Sequence, residues 1–109
     1  MITASIVTYH HHFKDIRKVI ECILSSPVSI LYIIDNSSND RLRELAKISA
    51  KIKYIHSVNL GYGAGHNIAI RESIDIGATY HIVVNPDIYF EEGVIEKLII
   101  YMNKYSEVG

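Results

Sequence analysis

"SILYIIDNSSND", residues 29–40, is the stretch on which the fold turns. Ile30 to Ile34 run without a polar interruption into Asp35, and five residues of turn chemistry follow. A strand with one wet face alternates apolar and polar side chains. An unbroken apolar run is expected where both faces are covered, as in a parallel sheet. Asn, Ser and Asp then suit a sharp exit, and Ser38, Asn39 or Asp40 suits the start of a helix.

The same alternation extends on both sides. Upstream, "TASIVTY" (3–9) is a short β-rich run. In "FKDIRKVIECILSS" (13–26), Ile16, Val19, Ile20, Ile23 and Leu24 recur at helical spacing, and Pro27 closes the segment. Downstream, a second helix carries Leu42, Leu45 and Ala46 on one side, and "IKYIHS" (52–57) is a third strand. "VNLGYGAGHN" (58–67) is expected as a glycine-rich loop, followed by a helix in "IAIRESIDIGA" (68–78) that ends at Gly77. "TYHIVV" (79–84) is the fourth strand and runs into Asn85-Pro86-Asp87. A last helix over 93–105 would bury Val94, Ile95, Leu98, Ile99 and Met102. Strands alternating with helices predict an α/β, Rossmann-like parallel sheet covered on both faces. The alternation leaves strand order open. If the fourth strand lies beside the first, the order is 3-2-1-4, and a ligand crevice opens at the carboxyl ends of strands 1 and 4.

At 109 residues the chain is one domain or part of one. Apolar residues make up 49%, enough for a packed core rather than disorder. Eleven basic and twelve acidic residues nearly cancel, and the lack of a basic stripe argues against a nucleic-acid partner. The single cysteine, Cys22, excludes an internal disulfide and fits a reducing, cytoplasmic setting. No run approaches the roughly 18 apolar residues of a spanning helix.

Polar residues cluster at the strand exits. Asp35, with Asn36 and Ser37, can accept the imide N–H of a pyrimidine base, although plain turn chemistry accounts for Ser38 to Asp40. "GYGAGHN" (61–67) departs from the dinucleotide fingerprint, since the third glycine would fall on His66. Its glycines still allow close backbone approach, and a helix start attracts anions; a tight turn before a helix is the plainer account. In Asn85-Pro86-Asp87 the proline ends the ladder and holds Asp87 outside the sheet. Asp87 there suits a hard cation such as Mg²⁺ or Mn²⁺, and Asn85 suits a ribose hydroxyl. His10, His11 and His12 point in different directions, so a zinc site is not expected, and His56, His66 and His81 stand singly.

"SIVTYHH", "LYIIDNSSND", "NLGYGAGHNIAI" and "YHIVVNPDIYF" together resemble the inverting family-two glycosyltransferases, most closely their rhamnosyltransferase-like members. The likeness covers essentially the whole chain. It implies a truncated A-type glycosyltransferase fold of order 3-2-1-4, in which residues 1–109 form the N-terminal nucleotide-sugar-binding part. It also implies nucleotide contacts from Thr8, Tyr9, Asp35, Asn36, Ser37, Gly61, Gly63, Ala64, Asn67 and Asn85. Asp87 would hold Mg²⁺ or Mn²⁺. Two positions depart from the family pattern: Asn85 replaces an aspartate, and His10 stands where asparagine is usual. The catalytic base is expected in an acceptor half beyond this chain, which alone should be inactive. The implied partners are a nucleotide-diphosphate sugar, dTDP-rhamnose among the candidates, and a saccharide or lipid-linked acceptor, as in polysaccharide biosynthesis. The setting implied is cytoplasmic, with peripheral membrane association and homo-oligomerisation left open. A nucleotidyltransferase-like domain and a receiver-like signalling module are the competing readings. The second fits poorly, because strand 1 ends in "TYHHH" rather than an acidic cluster.

Overall fold

The computed structural model describes residues 1–57, 61–86 and 97. Among the described residues, four strands form one parallel sheet: β1 (Ile2–Thr8), β2 (Ile30–Asp35), β3 (Ile52–His56) and β4 (Tyr80–Val84). Their order is β3-β2-β1-β4, the order that the alternation left open and the family likeness implied. Helix α1 (Phe13–Leu24) joins β1 to β2, a 3₁₀ helix (Arg41–Lys47) joins β2 to β3, and α2 (Gly61–Asp75) lies between β3 and β4. The expected helix over 93–105, Lys97 apart, lies outside the described residues, as does Asp87.

Register explains which side chains go where. Ala4, Ile6 and Thr8 of β1 pair with Leu31, Ile33 and Asp35 of β2. Successive strand residues point to opposite faces, so these six share one. On that face α1 lays down Ile16, Val19, Ile20 and Ile23, and the 3₁₀ helix adds Leu42 and Leu45. Each such buried aliphatic side chain contributes roughly 1.5–3 kcal/mol. On the opposite face, Val7, Tyr32 and Ile34 meet Ala69 of α2. The 3-2-1-4 order follows from this pairing: the chain moves outward from β1 through β2 to β3, then returns by α2 to β1's other side. The crossover direction therefore reverses at β1.

Two expectations need correction. The glycine-rich stretch is not a loop up to Asn67, because α2 already begins at Gly61. Glycine disfavours helix by about 1 kcal/mol, but close packing reverses the preference here. A Cβ on Gly65 would lie 2.8 Å from Val7 Cγ2, so the bare backbone lets α2 settle on the sheet. The second helix is a 3₁₀ segment whose buried residues are Leu42 and Leu45; Ala46 is exposed. With three residues per turn, positions 42 and 45 stack on one side and position 46 turns away. The stop at Gly77 stands: its φ is +76°, and the Ala78 N–H reaches back to the Ser73 carbonyl (2.9 Å).

Candidate functional site

The carboxyl ends of β1, β2 and β3 converge on Asp35. β2 ends there, and its carboxylate accepts four hydrogen bonds. Asp35 Oδ1 accepts from the Ser37 hydroxyl (2.6 Å), the Thr8 hydroxyl (3.0 Å) and the Ser37 N–H (3.1 Å). Oδ2 accepts from the Tyr54 hydroxyl (2.6 Å). The residue is fully buried at 0% exposure. Burial pushes the Asp35 carboxyl up, but hydrogen bonds from Ser37, Tyr54 and Thr8 outweigh it and hold the group below its ordinary value. Tyr54 moves the other way. Burial, then the carboxylate that accepts its proton, keeps its phenol protonated well above the usual range.

Ser37 is the knot of this cage. Its hydroxyl also accepts the His10 N–H (2.6 Å), and its carbonyl accepts from His56 Nε2 (2.8 Å). The His56 proton is therefore on Nε2. Thr8 O accepts the Asn36 N–H, and Asp35 O accepts the Ser57 N–H, both at 2.8 Å. The loops after β1 and β2 and the end of β3 are thus tied together.

Among the described residues, His10 is the non-glycine residue with positive φ, +54°. A left-handed residue costs roughly 1–2 kcal/mol unless it is Gly or, more cheaply, Asn, Asp or His. This gives a physical reason for a residue such as histidine or asparagine at that position. Tyr9 beside it is 65% exposed, and the two rings meet edge to face at 4.5 Å. His11 Nδ1 accepts the Tyr9 N–H (2.9 Å). The histidines of this run thus take separate local roles.

The residues singled out from the sequence are partly brought together. Thr8, Asp35 and Ser37 share the cage, with Asn36 buried at its edge and Tyr9 exposed above it. Gly61, Gly63, Ala64 and Asn67 lie in the first two turns of α2, and Ala64 and Asn67 are exposed. Gly65 touches Val7 and Ile34, so this helix start stands over the carboxyl ends of β1 and β2 from the face opposite Asp35. Asn85 follows β4 directly. Tyr54 and His56 were missed. Their alternation in "IKYIH" is visible, but nothing in it says that β3 lies beside Asp35 in this register.

A second polar cluster, also missed, lies beneath α2. Ser5 Oγ bonds both His66 Nδ1 (2.7 Å) and His81 Nε2 (2.9 Å). His81 Nδ1 meets Thr3 Oγ1 (2.8 Å) and Ser73 Oγ (2.9 Å), which also bond each other (2.7 Å). The singly scattered His66 and His81 are therefore neighbours in space. Burial lowers the His66 pKa; burial and then the nearby His66 push His81 down to about 4. Among the described residues, no group of three or more His, Cys, Asp or Glu could hold a metal ion. No described helix is long and apolar enough to cross a membrane.

A parallel sheet of this order, with polar strand ends gathered at its carboxyl edge beside a helix start, is an α/β architecture in which ligands bind at the carboxyl ends of the strands. Residues 4–109 match the family described as Glycosyl transferase family 2, and the chain belongs to that family. Glycosyl transfer from a nucleotide-sugar donor to an acceptor is the activity class this membership carries. No curated protein matches the chain.

Proposed function

We propose that these residues hold the nucleotide of a uridine- or thymidine-diphosphate sugar, with dTDP-rhamnose the first donor to test. The observation that carries the reading is the charged, buried Asp35 at the carboxyl end of β2, beside the point where the sheet order reverses. In this reading Thr8 and Ser37 orient the Asp35 carboxylate toward the base. Tyr9 covers the base, and Asn85 approaches the ribose. The start of α2, from Gly61 to Asn67, offers backbone N–H groups to the diphosphate. A divalent cation, Mg²⁺ or Mn²⁺, held through Asp87 would neutralise the diphosphate as it leaves.

Inverting transfer needs a carboxylate to take the proton of the acceptor hydroxyl. Asp35 does not suit that role, because four donors already occupy it and it is held ionised by them. The base, and the saccharide or lipid-linked acceptor it serves, belong to a separate part of the enzyme in this proposal. The reading is tested by titration calorimetry of the chain with uridine, thymidine and adenosine diphosphates, with and without Mn²⁺. Pyrimidine nucleotides should bind, and only with the cation. Equal binding after chelation removes the cation from the proposal, and equal binding of the adenine nucleotide removes Asp35.

A further inference from the structure

We propose that Tyr54 occupies, in the free chain, the place on Asp35 that an imide N–H takes when a nucleotide binds, so that the base must displace the phenol to be read. This deepens the reading above and rests on it. A carboxylate offers about four lone-pair positions. Oδ1 is filled by three donors, whereas Oδ2 carries the Tyr54 hydroxyl at 2.6 Å. Asp35 has no exposed surface, so a base reaches it only after one of its donors gives way.

The Oδ1 donors are poorly placed to move. Thr8 is fully buried in β1, and Ser37 is pinned by His10 and His56. The Tyr54 hydroxyl differs: it sits at the tip of a long side chain on β3, at the end of the sheet order. Its ring is only partly buried, with the Arg43 guanidinium 5.1 Å from the ring centre and Arg43 itself mostly exposed. The ring also packs against the edge of the core cluster, so turning the phenol aside gives up that exposed contact and part of this packing.

The exchange selects chemically. Uracil and thymine present an imide N–H, a donor that replaces the phenol like for like. Cytosine and adenine present a ring-nitrogen acceptor at the corresponding edge, which a carboxylate repels. Among these four bases, displacing the phenol therefore leaves Asp35 satisfied only when the incoming base is an imide. A buried carboxylate stripped of a donor is costly, so a base without that donor leaves the phenol in place and gains nothing from Asp35.

The test compares the parent chain with Tyr54→Phe and Arg43→Gln, using four probes with Mn²⁺: uridine diphosphate, its N3-methyl derivative, cytidine diphosphate and adenosine diphosphate. Tyr54→Phe removes the competing donor, so uridine diphosphate should bind about tenfold tighter, while the other three probes stay unchanged. Arg43→Gln loosens the ring and should tighten uridine diphosphate alone, by a smaller factor. This exposed substitution decides the matter if Tyr54→Phe does not fold. A purely structural Tyr54 predicts the opposite sign: weaker or unchanged binding in the variants, with the parent still preferring uridine diphosphate to its N3-methyl derivative. That result overturns the role of Tyr54 and leaves base reading by Asp35 standing. A parent chain that does not distinguish those two probes overturns base reading, and the role of Tyr54 with it.

Discussion

Acid should loosen this fold between pH 6.5 and 4, well above the range where its buried carboxylate is protonated. His81 lies among Thr3, Ser5 and Ser73, with Tyr32 tilted against its ring at 6.4 Å and His66 on the other side of Ser5. Its folded pKa is pushed from an ordinary 6.5 to about 4, chiefly because the charged ring would lose its water. The unfolded chain thus takes up a proton in this window that the folded chain refuses. Stability is complete above about pH 6.5, falls as pH drops, and stops falling from this source near pH 4. The gap corresponds to about 3 kcal/mol, a large share of the roughly 5–15 kcal/mol that holds a typical domain. His66, also lowered by burial, adds in the same direction. Asp35 acts in a different window, because its pKa is held below the ordinary 3.8 and its contribution is lost only under that pH. Urea denaturation at pH 7, 6, 5 and 4.5 measures the loss directly. His81→Gln keeps a polar side chain but cannot titrate, so its stability should fall less over the same range. If His81→Gln, folded at pH 7, loses as much as the parent, or if the His81 ring of the folded chain titrates near 6.5 by NMR, the burial reasoning is wrong.

Gly65→Ala should destabilise by about 1–2 kcal/mol, since overpacking against Val7 outweighs alanine's better helix propensity; the Val7→Ala, Gly65→Ala pair should recover part of it in denaturant titrations, and an unaffected single variant would mean that α2 is not seated on β1. His10→Gly should raise stability by about 1 kcal/mol by relieving the left-handed backbone, whereas His10→Ala should not; equal melting temperatures for the two would discount that strain. Asp35→Ala should cost about 3–5 kcal/mol, because it strands donors from Thr8, Ser37 and Tyr54 in the interior. Asp35→Asn, which keeps an acceptor, should cost clearly less; a near-neutral alanine variant by calorimetry would contradict the cage.

The alternation of apolar runs with helical spacing determined the α/β class without help. Unbroken runs such as Ile30 to Ile34 need two covered faces, and Ile16, Val19, Ile20 and Ile23 make one helical stripe. Asp35, Ser37 and Thr8 were legible as a polar group because polar side chains at the exits of buried strands are unusual enough to notice, and the structure brings the three together. The start of α2 was not legible. Local propensity put Gly61 to Asn67 in a loop, and only the close contact of Gly65 with Val7 explains why backbone without side chains forms a helix there. Tyr54 and His56 look like ordinary alternating strand residues until β3 is placed beside β2 in its parallel register, which sets one on Asp35 and the other on Ser37. The same holds for His66 and His81. They are fifteen residues apart in the chain, too far for local rules to link, and they share Ser5 only because α2 crosses the sheet above β1 and β4. Sequence pattern specifies which faces are apolar. Which polar groups meet across those faces depends on strand order and register, and these are settled by packing the whole sheet at once.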